Sequence, residues 1–221
     1  MEFSPRLDKI GSSMTLEINS RSKKMALEGI KVISLAVGEP DFNTPEYIKK
    51  AAILAIEENF TKYTQVAGIP ELRKAAAEYL NRNYEGDIQS DSIIIGAGGK
   101  QCIFEFFQTM MRPNEEVLIP SPYWVSYPPI VELSGGIPRI VRTDIENGYK
   151  IHPELLEKYK TEKTKFLILN NPSNPTGIVY THSELVEIIK WAFANNIYVL
   201  SDEIYDQLVY QPARMSSVIE L

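Results

Sequence analysis

Cysteine is almost absent from this sequence. The single one, Cys102, excludes an internal disulfide and any cysteine-built metal cluster. It stands in KQCIFEFFQTMM, an apolar helical run, and reads as a buried small hydrophobe rather than a nucleophile. Only two histidines occur, His152 and His182, far apart and without metal-ligand spacing, so no metal is expected. His182 follows Tyr180 and Thr181 at a helix start, a surface position. Basic residues are outnumbered, 23 Lys and Arg against 29 Asp and Glu, and the net charge of −6 argues against a nucleic-acid partner. No apolar run approaches the roughly 20 residues that span a bilayer. The opening MEFSPRLDKIGSSM lacks the apolar centre of a signal peptide, which gives a cytoplasmic expectation. Repeats and low-complexity tracts are not visible either.

What is present is an ordinary globular composition. Hydrophobic residues make up 44% and charged residues 24% of 221 positions, enough for one or two domains with a sizeable core. From about residue 45 helical and strand patterns alternate. PEYIKKAAILAIEEN, opened by Pro45, has apolar residues at helical spacing, and so does the stretch from Ile69 to Asn83, with Pro70 suited to a first turn. SIIIGAGGK reads as a short β-branched strand breaking into glycines, followed by the helix QCIFEFFQTMM. EEVLIPSP, PRIVRT and TKFLILNNP read as strands, Ser183 to Ala194 as a helix, and NIYVLSDEIY as a further strand.

Short apolar strands separated by helices indicate an α/β fold with a parallel sheet covered on both faces. Ligands of such sheets sit at the carboxyl ends of strands. GAGGK, PSPYW, NNPSNPTG and SDEIY fall at those ends. Residues 1 to about 44 differ. SMTLEINSRSKKMALEG reads as a short helix, and VISLAVGEPDFNTP as a strand running into a turn. Together they form a lead-in arm with its own packing partner.

Each of these segments carries two readings. The glycines of GAGGK allow a ligand close to the backbone, and the next helix offers free N–H groups, which suits phosphate; such turns also serve packing. It is neither a P-loop nor a dinucleotide fingerprint. In NNPSNPTG, the two X-Pro steps hold Asn171 and Asn174 extended, so an amide can be aimed into a cleft, yet the composition is equally that of a turn. Asp202 follows the apolar run YVLS, where a carboxylate needs a partner. Asp202 and Tyr205 can reach one cleft, or simply mark a strand end followed by an acidic cap.

Taken in order, VGEPDFNTP, KYTQVAGIPELRKA, GAGGKQ, PSPYWVSYP, NNPSNPTG and SDEIY resemble the class I pyridoxal-phosphate-dependent aminotransferases, and PSPYWVSYP resembles their aspartate aminotransferase-like subgroup. The resemblance covers nearly the whole chain. It implies a three-layer sandwich with a mainly parallel sheet. Residues 1–44 would be an arm of the small domain, and 45–221 an incomplete cofactor-binding large domain. It implies pyridoxal 5'-phosphate as cofactor, an amino acid and a 2-oxo acid as substrates, and a homodimer. Asp202 would hold the pyridine nitrogen protonated, Asn174 and Tyr205 would meet the phenolic oxygen, and Trp124 would stack on the ring. Gly99 and Lys100 would offer N–H groups to the phosphate, and Tyr63 would reach the phosphate of the neighbouring subunit. Gly38 would lie near the substrate carboxylate. The Lys100 side chain would meet a distal carboxylate, or be an ordinary exposed lysine; Gly11 stands where some relatives have a basic residue facing the substrate.

One departure matters most. The lysine that carries the cofactor lies, in the family, a few tens of residues after the SDEIY aspartate, and this chain ends at Leu221 before it. Lys165 precedes a strand, Lys190 is in a helix, and Lys100 belongs to the phosphate turn, so none replaces it. The C-terminal arginine that binds the substrate carboxylate is missing too; Arg214 is misplaced for that task. The chain alone is therefore expected to be inactive and to fold poorly, with the strand before GAGGK lacking a neighbour and YVLSD an open edge. A related pyridoxal-phosphate-dependent lyase and a non-catalytic truncated remnant are the alternative readings.

Overall fold

The helices and strands follow the apolar spacing closely wherever two faces of an element differ. In the computed structural model the described residues are 4, 7, 10–11, 14–35, 38 and 42–221, with side chains left out for 14–16. Contacts divide the chain into two units, residues 11–66 and residues 1–10 with 67–221.

The smaller unit holds α1 (Met14–Leu27) and α2 (Glu46–Glu57). α1 ends where Gly29 adopts φ +80, a left-handed conformation that lets the Ile30 amide turn back to the Met25 carbonyl at 3.0 Å. None of the residues of α2 is buried, although its alternation of Ile, Ala and Leu is amphipathic. The expected strand of VISLAVGEPDFNTP does not form over Val32–Leu35, while residues 36–37 and 39–41 of that segment lie outside the described residues.

The larger unit is built on four parallel strands in the order β2-β1-β3-β4: β1 (Glu116–Ser121), β2 (Ile137–Arg142), β3 (Thr164–Asn170) and β4 (Tyr198–Asp202). Its helices are α3 (Pro70–Tyr84), α4 (Gly99–Met110), α5 (Tyr127–Leu133), α6 (Pro153–Tyr159) and α7 (His182–Ala194). Strand alternation sorts the side chains into two cores. Leu118, Leu167 and Leu169 face α6 and α7 with Leu156, Leu185 and Ile188; Val117, Ile119, Phe166 and Ile168 face α4 and α5 with Phe107, Ile130 and Val131. This is the three-layer α/β sandwich. Among the described residues no helix is long and apolar enough to cross a membrane.

Helix starts obey local chemistry. Pro70 and Pro153 occupy first-turn positions, where a missing N–H costs nothing. Thr181 and Glu184 form a reciprocal capping box at α7. α5 and α6 escape a sequence reading because seven residues each are too few to establish a helical period.

Three further expectations are corrected. Ser92–Ile95 is not a strand: no strand lies beside it among the described residues, and its one ladder-like bond runs from the Ile95 amide to the Ala67 carbonyl, 3.0 Å. Cys102 is exposed rather than buried. α4 buries Ile103 and Phe107, four residues apart, and Cys102 stands off that face with its Sγ against Gly96. Lys165 lies inside β3 rather than before it.

Candidate active site

β1 lies between β2 and β3, so the chain leaves β1 toward one side of the sheet and returns on the other. The loops after β1 and β3 therefore diverge and open a crevice at the carboxyl ends of the strands. That crevice is a cleft of about 280 Å³, lined by Gly98, Gly99 and Lys100 from the start of α4, Trp124 and Tyr127 beyond β1, Asn170 and Asn174 at the end of β3, and Asp202, Ile204 and Tyr205 at the end of β4. All of them belong to the larger unit.

The floor is Asp202. Its Oδ2 accepts the Tyr127 hydroxyl at 2.6 Å and its Oδ1 the Ile204 amide at 3.2 Å, which fixes the carboxylate plane and leaves lone pairs on a group that lines the cleft. Burial, then the Asp202 charge and hydrogen bond, push the Tyr127 phenol well above its ordinary value, so it remains a donor. Trp124 stands edge-on to Tyr127, centroids 5.3 Å apart. On this indole lies the ammonium of Lys100, 5.0 Å from the ring centroid.

One wall is asparagine. The Asn170 amide donates to the Asp202 carbonyl at 2.9 Å, and its Oδ1 accepts the Asn174 backbone N–H at 2.6 Å. Asn171 does different work: fully buried, it accepts the Tyr180 amide at 3.0 Å and donates to the Ser216 carbonyl at 2.9 Å, away from the cleft. The opposite wall is the start of α4. Gly98 takes φ +91, which favours glycine, and an added Cβ there would meet nothing within 4 Å. Gly99 and Lys100, the first two residues of α4, present N–H groups that no helical carbonyl can take.

Six of the residues singled out in the sequence thus meet in one cleft: Gly99, Lys100, Trp124, Asn174, Asp202 and Tyr205. Tyr63 and Gly38 belong to the smaller unit, and both are exposed. Sequence reasoning missed Tyr127 and Asn170. The signals were there: Tyr127 follows Trp124 at a helical i+3 spacing, and Asn170 is the last residue of an alternating strand. Among the described residues no group of three or more His, Cys, Asp or Glu is arranged to hold a metal.

Known proteins share this arrangement of chain and fold. The sequence profile of the family described as Aminotransferase class I and II matches residues 30–221. The aspartate aminotransferase of Bacillus sp. (strain YM-2) is 44% identical over 216 residues, 98% of this chain and 55% of that protein. The probable aspartate/prephenate aminotransferase of Thermus aquaticus is 40% identical over 214 residues, 97% of this chain and 56% of that protein. The solved structure of Thermus thermophilus aspartate aminotransferase with maleate superposes with a TM-score of 0.94 at 39% identity, covering 98% of this chain and 56% of that one. The chain spans little more than half the length of these relatives. With the profile matched over most of its residues and the parallel sheet in place, the chain belongs to the class I and II aminotransferase family.

Proposed function

We propose that the cleft binds pyridoxal 5'-phosphate, and that the whole protein moves an amino group from an aspartate-like amino acid to a 2-oxo acid. The observation that carries this reading is the convergence of an anion-binding helix start, a flat indole and an anchored carboxylate on one cleft. Those features suit the phosphate, the ring and the ring nitrogen of that cofactor. When bound, it supplies an electron sink for the pair left when the Cα proton of an amino acid departs. Asp202 holds a proton on the ring nitrogen, and Tyr127, by donating to Oδ2, keeps the carboxylate turned to that task. Asn174 and Tyr205 donate to the phenolic oxygen; Trp124 limits ring tilt; the Gly99 and Lys100 amides hold the phosphate.

Among the described residues Lys100 is the one lysine that lines the cleft, and its ammonium lies over Trp124. On this reading the cofactor-bearing lysine is supplied from outside the described cleft residues, and the 221-residue chain by itself should show no turnover of aspartate with 2-oxoglutarate. Tyr63, fully exposed in its unit, is proposed to reach the phosphate in a second copy, and the Gly38 backbone to meet the substrate carboxylate. Aspartate-like specificity is supported by relatives named as aspartate aminotransferases and by the maleate, a dicarboxylate, in the Thermus thermophilus structure.

The test is made in a full-length protein carrying these residues and the cofactor lysine. Asp202→Ala should still take up pyridoxal phosphate, while turnover in a coupled assay falls on the order of a hundredfold or more. Near-normal turnover removes Asp202 from the reaction. Lys100→Ala should cost aspartate about thirtyfold more in kcat/KM than alanine, about 2 kcal/mol; equal losses would leave Lys100 only the phosphate.

A further inference from the structure

Tyr205 and Ile204 reach the cleft from a turn that follows β4, and that turn is fastened on both sides. Before it, Glu203 accepts the Ser201 hydroxyl at 2.7 Å, the Ser217 hydroxyl at 2.6 Å and the Val218 amide at 3.1 Å. Behind it stands Asp206, which is not in the cleft. The hydroxyls of Tyr79 and Tyr84, both on α3, donate to its Oδ2 at 2.7 Å each. The Gln207 amide closes the group, donating to the Tyr79 oxygen at 2.7 Å and to the same Oδ2 at 3.2 Å. Within the turn, the Asp206 amide donates to the Glu203 carbonyl at 3.0 Å and the Leu208 amide to the Tyr205 carbonyl at 2.8 Å.

Three donors from two separate segments on one carboxylate oxygen is more than a surface aspartate needs. Tyr84 is buried, with 5% of its surface exposed, so its hydroxyl has no water to fall back on. Burial and the Asp206 bond push the Tyr84 phenol far up, so it keeps its proton throughout the working range. Burial alone would raise the Asp206 carboxyl, but the bonds from Tyr79, Tyr84 and Gln207 outweigh it and hold it below the ordinary carboxylate value. The clamp is a charged acceptor held between neutral donors, and it sits one residue from Tyr205.

We propose that Asp206 is a positioning residue for the cofactor cleft: by clamping the turn to α3 it sets where the Tyr205 hydroxyl stands, and so makes α3 part of ligand recognition. This rests on the reading of the cleft as a pyridoxal-phosphate site. The test uses the full-length protein carrying these residues, freed of cofactor, titrated with pyridoxal 5'-phosphate and followed by tryptophan fluorescence, with amide hydrogen exchange measured without ligand. Asp206→Ala should weaken uptake about tenfold and speed exchange at Asp206 and Leu208, leaving Phe166–Leu169 of β3 protected. Asp206→Asn keeps one acceptor oxygen and should recover most of the affinity. In a Tyr205→Phe background, Asp206→Ala should cost nothing further, because the hydroxyl it positions is gone. A full tenfold loss in that background means Asp206 serves stability alone and overturns the proposal. So does unchanged exchange at Asp206 and Leu208, or a wild-type β3 without protection. A wild-type protein that takes up no pyridoxal phosphate overturns the reading of the cleft instead, while faster exchange confined to positions 206 and 208 of the Asp206→Ala variant still supports the clamp.

Discussion

At the amino end of the sheet a carboxylate is fully used, and at the carboxyl end another is not. Glu116 opens β1 almost completely buried, 4% exposed, and accepts from Arg139 Nε at 2.8 Å, Arg139 Nη2 at 2.6 Å and the hydroxyls of Thr161 and Thr164 at 2.7 and 3.3 Å. Asp202 closes β4 with one phenol and one amide, and its remaining capacity lines a cleft. Both are acids at strand ends. The saturated one ties β1, β2 and the approach to β3 together; the unsaturated one can take a ligand. An acceptor with capacity left beside a cavity is therefore where a ligand is proposed to bind.

That comparison can be broken at three points. The largest stability effect belongs to Glu116→Ala, which strands the Arg139 guanidinium. A fully buried pair broken this way costs about 3–5 kcal/mol, and because the Arg139 side chain is 38% exposed the expected loss is nearer ~2 kcal/mol, read from the urea midpoint. Pyridoxal phosphate uptake should not change. Loss of uptake at matched stability would mean the two ends are coupled and the contrast is wrong.

A smaller stability cost, about 1 kcal/mol, is expected for Tyr127→Phe, which removes one hydrogen bond from Asp202. Here the larger change should be in cofactor affinity, measured by fluorescence titration. Equal affinity in the variant would show that Asp202 needs no orienting partner.

The smallest effect is one of pH. The Arg139 hydrogen bonds, against an opposing burial effect, hold the Glu116 carboxyl below its ordinary value of 4.5. A depressed folded value means the contribution is complete above pH 4.5 and is lost as pH falls through the lowered value. Glu116→Gln should accordingly be less stable near neutrality and lose less further stability on acidification than the parent. An acid limb of unchanged slope in that variant would remove Glu116 from the acid response.

Much of this was legible residue by residue. β1, β3 and α7 carry their periods openly, Asp202 stood out at the end of the apolar run YVLS and Asn174 at an X-Pro step, while Trp124 came only from the family resemblance. Other features were illegible for physical reasons. Ser92–Ile95 has every β-branched signal of a strand, but a strand exists only through its neighbour's N–H and C=O groups. Cys102 looks apolar in sequence, yet helical rotation puts Ile103 and Phe107 inside and leaves it out. Two adjacent asparagines, Asn170 and Asn171, look interchangeable, and strand alternation sends one to the cleft and the other into the core.

The longer helices, the four sheet strands and the parallel α/β class were determined by the sequence, because local period and turn chemistry act over a few neighbours; the six cleft residues came from the strand-end motifs together with the family resemblance they carry. Only the tertiary structure decided that Tyr127 would hold Asp202, that Arg139 would saturate Glu116, and that Tyr79 and Tyr84 would close on Asp206. Those pairs join residues far apart in the chain. A hydrogen bond of a few ångströms between them depends on strand order and helix packing, which no local pattern encodes.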